Sequence, residues 1–317
     1  MAASRPQWAE DLEPGIRQWI ADGYDMLTPT YPSLLKTFTS DRQFEEDMDS
    51  TGIGYLSDTE EGGPTQYEDP LQGYKTRYTH KTFRKGVQVT LEEYEDDLYR
   101  VFQNRTTMLG KAGKRTYDVY AMDLFRGAFN TARTSYGDTK PLASTAHTRV
   151  DGGANQSNAS STGIPLNEPN LNTAALAMMK ILDNKGQLVA VGEGKKTLVV
   201  PLDLDKKATE ITESVLKSDS ANNDLNYYLG GKFDVMSTRW IGAEATLLDT
   251  GSATAWFLLS QTDYKLNFFM RVPFSVTDDY DFDRDILKNK GRTRFSYGWS
   301  DWRGFWGSKG DGAAYSS

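Results

Sequence analysis

The chain has 317 residues, a formal net charge of -8, 38% apolar and 12% aromatic residues, and no cysteine. That length can bury a sizeable core in one large domain or two, and so many rings argue against disorder. The missing cysteines exclude disulfides and thiolate catalysis, the two histidines, His80 and His147, are too few for a zinc site from this chain alone, and the acidic balance argues against a nucleic-acid backbone spread over the whole surface.

The N-terminus, "MAASRPQWAEDLEPG", has no apolar h-region, and no apolar run reaches the length of a membrane span. The chain is therefore expected to be made inside a cell. Within residues 1–40, "GIRQWIADGYDML" puts Ile16, Trp19, Ile20 and Met26 roughly on one helical face, and the prolines of "TPTYPSLL" end it. This segment has too little apolar area for its own core and reads as an arm that packs on something else.

Residues 43–69 carry nine acids and no Lys or Arg: Glu45, Glu46, Asp47, Asp49, Asp58, Glu60, Glu61, Glu68 and Asp69. Residues 74–85, "YKTRYTHKTFRK", reverse the sign with Lys75, Arg77, Lys81, Arg84 and Lys85. Their period-two alternation, continued in "FRKGVQVTL", predicts an extended hairpin with one acidic and one basic strand. From Leu91 the period changes to three and four, through Tyr94, Leu98, Val101, Met108, Ala112, Val119, Met122, Phe125 and Phe129. With no proline before Pro141, the pattern predicts one helix over 91–132, about 60 Å long.

A Gly/Ser/Asn/Thr-rich stretch follows and reads as a long loop. The rest reads as a helix in "NLNTAALAMMKILDNKG", a buried strand in "KTLVVPLDL", a helix in "DKKATEITESVLKS", and strands in "GGKFDVMSTRWI", "AWFLLSQT", "LNFFMRVPFSV" and "RTRFSYGWSDWRGFWG". The order fits an α+β fold better than βαβ repeats.

Four constellations could carry chemistry. "KPLASTAHTRVDGG" holds Ser144, Thr145, His147 and Asp151 within eight positions, the residue types of a hydrolytic triad. It lacks the G-x-S-x-G elbow, and triad members rarely sit so close in sequence. The plainer reading is a surface loop whose hydroxyls bond the local backbone. "VGEGKKTLVV", with Gly192, Gly194, Lys195, Lys196 and Thr197, imitates a phosphate loop, but Val189 stands where the first glycine is required and a strand follows instead of a helix. "TDDYDFDRD" offers Asp278, Asp279, Asp281, Asp283 and Asp285 to a cation but lacks the EF-hand pattern. The basic-aromatic run 74–85 could stack on nucleic acid, although its acidic neighbour favours pairing with complementary surfaces on other copies.

The order of these elements resembles the major capsid protein of tailed phages, in particular the Mu-like major head subunit family. "GDTKPLASTAHTRVDGGANQSN" looks like that family's loop after the spine helix, "KKTLVVPLDLDKKATEITES" like the entry to its capsomer-forming domain, and "AWFLLS" and "RFSYGWSDWRGFWGS" like its closing strands. The resemblance spans essentially the whole chain. It implies a Hong Kong 97-like capsid fold: an N-terminal arm (1–40), an extended loop (41–88), a peripheral domain (89–169) with spine helix 91–132, an axial domain (170–272), and closing strands of the peripheral domain (273–317). The implied function is a non-enzymatic shell subunit without cofactors, metal or membrane. It would form hexamers and pentamers of an icosahedral head, made in the host cytoplasm and residing in the virion. Partners would be other copies, portal, scaffolding or decoration proteins, and double-stranded DNA held non-specifically. An encapsulin-like nanocompartment shell and a hydrolase using Ser144, His147 and Asp151 stand as alternatives.

Overall fold

A computed structural model describes residues 5–50, 53–70, 72–97, 100–216, 224–281, 283–315 and 317. In chain order the elements are α1 (Arg5–Asp25), β1 (Lys36–Thr39), β2 (Phe44–Ser50), β3 (Gln72–Thr79), β4 (Lys81–Thr90), α2 (Leu91–Glu95), α3 (Val101–Ala121), α4 (Asp123–Arg126), α5 (Glu168–Met179), β5 (Lys196–Val200), α6 (Asp205–Glu213), β6 (Phe233–Ser237), β7 (Trp256–Ser260), β8 (Lys265–Asp281), β9 (Ile286–Asp301) and β10 (Phe305–Ser308). The chain forms two compact units. The first takes residues up to Glu45, Tyr78–Ala121 and Phe268–Tyr297; the second takes Glu46–Arg77, Met122–Asn267 and Gly298–Ser317.

The first unit lays α1 and α3 on one face of a sheet ordered β1-β8-β9-β4. β4 and β9 run antiparallel, from Lys81 opposite Phe295 to Thr90 opposite Ile286. Ile16, Ile20, Phe102 and Leu109 of the helices meet Val89 and Leu287 of the strands, with Phe274, Val276 and Tyr280 packed against them. The helices touch backbone to backbone. A Cβ on Gly110 would lie 2.0 Å from the Ile20 carbonyl oxygen, and one on Gly23 would lie 2.1 Å from that of Thr107. Gly110 weakens α3 as an isolated helix but lets α1 lie flush on it.

The predicted helix over 91–132 is interrupted. α2 ends at Glu95, and α3, 21 residues long, spans about 32 Å. The Asp97 carboxylate accepts from the Val101 and Phe102 amides at 2.8 and 3.0 Å, capping a new helix start, and Arg100 has φ +55°. Leu98, which carried the periodicity across this point, lies outside the described residues. After Ala121 the helix gives way to the short α4.

His80 follows β3 directly and is buried. Its Nε2 lies 3.0 Å from the Ser40 hydroxyl and its Nδ1 3.0 Å from that of Ser296. Burial, reinforced by the cations Arg294 and Arg271 and opposed by Glu45, holds its pKa below the ordinary histidine value. The unfolded chain then binds more protons than the folded one as pH falls. This contribution to stability is complete above the unfolded value of about 6.5 and is lost as pH drops through that value toward the folded one. Urea midpoints should fall on acidification across this window, and the fall should shrink in His80→Gln; an equal fall in both proteins would assign it to other groups.

The second unit is built on a sheet ordered β10-β7-β5-β6, parallel between β5 and β6 and antiparallel elsewhere. All five residues of β7 are buried, as expected of a central strand covered on both faces. α6 packs on β5 and β6, and α5 on β10. The unit also contains the two-stranded pairing of β2 with β3.

Candidate functional site

The sequence places its suspected triad on a surface loop, and the structure corrects that placement. Ser144, His147 and Asn158 are wholly buried. His147 Nδ1 lies 2.6 Å from Asp138 Oδ2, and Nε2 lies 3.1 Å from Asn158 Oδ1. The orientation of the Asn158 amide follows from its other bonds: Nδ2 donates to the Leu142 carbonyl at 2.8 Å, and Oδ1 accepts from the Ser144 amide at 2.8 Å. Nε2 therefore faces an acceptor and donates to it. The imidazole stacks on Trp302 at 4.3 Å with 3° between planes. A composition typical of exposed loops is here buried because its polar groups bond one another and the backbone.

This arrangement is unsuited to nucleophilic catalysis. A general base needs a free lone pair directed at the nucleophile, whereas His147 Nε2 donates to Asn158. The Ser144 hydroxyl instead accepts from the Ala146 amide at 3.0 Å and from the Ser317 hydroxyl at 2.7 Å. Asp151 sits apart on an exposed turn, accepting from the Gly153 amide and paired with Arg149, which together hold its carboxyl below the ordinary range. Asp138, Asn158 and Trp302 complete the buried cluster. Asp138 lies in the stretch read as a long loop, where nothing in its neighbours singles it out.

The other sequence candidates disperse. Lys195 pairs with Asp234, and Lys196 Nζ folds back toward the Gly194 carbonyl at 3.3 Å. Asp278 pairs with Arg17, Asp281 with Lys288, and Asp285 accepts from the Tyr280 hydroxyl. In the basic-aromatic run, Tyr78 is buried, and Tyr74 is engaged by the Thr148 hydroxyl at 2.9 Å and the Tyr136 ring. Those rings are not free to stack on bases.

The charge-split pair is present, with a different boundary. Acidic β2 pairs with β3 alone. Glu46 lies 2.6 Å from Lys75 and 3.8 Å from Arg77, while Asp49 accepts from Asn184 at 3.0 Å. The continuation 81–90 leaves this pair to join β9, so Arg84 and Lys85 belong to the other sheet. Between β2 and β3, described residues 53–70 have no helix or strand, and all but Gly54 are exposed. Ile53, Tyr55, Leu56 and Tyr67 stand 69%, 72%, 98% and 94% exposed.

A second buried polar cluster escaped the sequence reading. The side chains of Asp123 and Arg126 have no exposure and pair at 3.1 Å. Arg126 also donates to the carbonyls of Trp240, Leu247 and Asp249 at 2.6, 3.0 and 3.0 Å, and Arg133 bridges Asp123 and Asp249.

A family model described as phage capsid protein matches residues 73–308. The chain belongs to the phage capsid protein family. No curated protein matches this capsid protein. Among solved structures, the mature capsid of bacteriophage PhiM1 is similar at TM-score 0.60 and 9% identity, over 89% of this chain and 87% of that one. The capsid of cyanophage P-SCSP1u gives 0.57 and 11%, over 92% and 88%. The capsid of bacteriophage JBD30 gives 0.54 and 16%, over 68% and 92%. At these identities the likeness is one of fold, and that fold is the α+β architecture of the phage capsid. In this capsid protein the His147 and Arg126 clusters are interior polar cores, and the chain between β2 and β3 exposes Ile53, Leu56 and Tyr67 to solvent.

Proposed function

We propose that this protein is the major head subunit, self-assembling into hexamers and pentamers of an icosahedral shell that encloses double-stranded DNA. It is made in the host cytoplasm, resides in the virion, and meets portal and scaffolding or decoration proteins there. In this reading residues up to 40 form the arm, 41–88 the extended loop, 89–169 with 273–317 the peripheral domain, and 170–272 the axial domain. The protein turns over no substrate, and the His147 cluster serves to fix the interior.

The observation that carries this reading is the segment 53–70 on its β2–β3 stem. It exposes Leu56 and Tyr67 almost fully and much of Ile53 and Tyr55, a pattern that marks a surface awaiting a partner. Many weak contacts of one kind, repeated around a closed shell, sum to a large stability. Replacing residues 55–67 with a short Gly-Ser linker should abolish closed particles in electron micrographs while circular dichroism and thermal melting of the subunit stay unchanged. Normal particles from this variant would refute the role given to the loop.

A further inference from the structure

The sheet β1-β8-β9-β4 has a second face, away from α1 and α3. Along β9 the odd positions Leu287, Asn289, Thr293 and Phe295 are buried, while Lys290 and Arg292 are exposed. The register places Arg84 opposite Arg292, Gly86 opposite Lys290 and Thr82 opposite Arg294. Like charges directly opposite each other are unfavourable, so this arrangement is not one that the sheet alone selects. The nearby charges do not resolve it. Lys288 is taken by Asp281 at 2.8 Å, and Arg271 by the Ser40 carbonyl and Asp41. By the alternation of β8, Asp279 shares this face near the far end of the hairpin. Among the described residues, the side chains of Arg84, Lys290, Arg292 and Arg294 have no acidic partner, and the Nε of Arg294 is buried without an acceptor.

The same chain carries the complementary surface. Segment 53–70 contains Asp58, Glu60, Glu61, Glu68 and Asp69 and no Lys or Arg. Among the described residues, Glu68 alone of these five has an ion-pair partner, Lys185. Alternate residues of an extended chain repeat at about 7 Å on one side. Asp58 and Glu60 can therefore step along Lys290, Arg292 and Arg294, which share that spacing on β9. Arg84, Lys290, Arg292 and residues 58–61 are exposed and Arg294 is half-buried; shell formation supplies the neighbouring copies that complete the pair.

We infer that the cationic stripe Arg84, Lys290, Arg292 and Arg294 of one copy receives the acidic stretch 58–61 of a neighbouring copy. This rests on the shell-forming reading above and names the surface that accepts the loop. Each exposed charge pair is weak and screened by salt; repetition around the shell makes the sum decisive.

A charge-swap experiment tests it. Three proteins are prepared beside the unaltered chain: Arg84→Glu with Arg292→Glu, Glu60→Lys with Glu61→Lys, and the combination of all four. All positions are exposed, and circular dichroism verifies folding. Particle yield should drop at least tenfold in each charge-reversed protein and recover in the combination. In an equal mixture of light and heavy-isotope chains, carbodiimide should link Glu60 or Glu61 of one isotope to Lys290 of the other. Loss in both parents without recovery in the combination, or links confined within one isotope, would overturn the assignment while leaving shell formation standing. Normal particles from Arg84→Glu with Arg292→Glu that retain less DNA would also overturn it, and would place the stripe against nucleic acid. Absence of particles from the unaltered chain would remove the shell reading and this inference together.

Discussion

Arg126→Met is expected to lower the unfolding free energy by about 3–5 kcal/mol, the range for breaking a buried ion pair from one side. The side chain is fully enclosed, pairs with an equally enclosed Asp123, and donates to three backbone carbonyls. Methionine fills similar volume, so the loss would be electrostatic rather than a cavity effect. Arg133 still reaches Asp123, which keeps the expected loss within that range. Combining Arg126→Met with Asp123→Leu removes the buried carboxylate that has lost one of its two cations and should recover part of the stability. Urea unfolding of the three proteins checks this; a loss below about 1 kcal/mol would mean that the pair behaves like a solvated one.

His147→Ala should cost about 2–4 kcal/mol, from a void beside Trp302, an Asp138 oxygen left without its donor and the loss of one of two donors to Asn158 Oδ1. It should reduce particle yield through instability of the subunit. His147→Phe separates the two contributions. It can keep the stack on Trp302 yet leaves Asp138 Oδ2 without a donor and Asn158 Oδ1 with the Ser144 amide alone, so it should be no more stable than the alanine variant. Full stability of His147→Phe would show that the ring's packing, and not its hydrogen bonds, holds this region together.

These clusters mark where the sequence could be read and where it could not. The acidic and basic halves of the β2–β3 pair were legible because alternation and charge sign both appear directly in residue order. The end of that pair was not, since period two runs unbroken through His80 from β3 into β4, and only pairing partners tell the strands apart. The break before α3 was hidden for a related reason. Tyr94, Leu98 and Val101 keep helical spacing, while the cap from Asp97 depends on two amides that a pattern of apolar residues does not register. The loop around His147 misled through composition. Gly, Ser, Asn and Thr are common on surfaces, and burying them takes partners from distant residues such as Asn158, Trp302 and Ser317. Arg126 did not stand out, because its pairing with Asp123 three positions away looks like an ordinary helix-surface pair and its other partners are carbonyls more than a hundred positions away.

The glycines of α3 teach the opposite lesson. Gly110 looks like a flaw in a helix read alone, and its reason appears only when α1 is laid against it. Local propensity and tertiary packing disagree there, and the packing of the two helices settles the conflict.

The most direct measurement is cryo-electron microscopy of the unaltered protein after assembly. The expected result is closed icosahedral shells in which the chain between β2 and β3 lies over a neighbouring subunit, with Leu56 covered. Particles that never close, or shells in which residues 53–70 of every copy remain in solvent, would contradict the account.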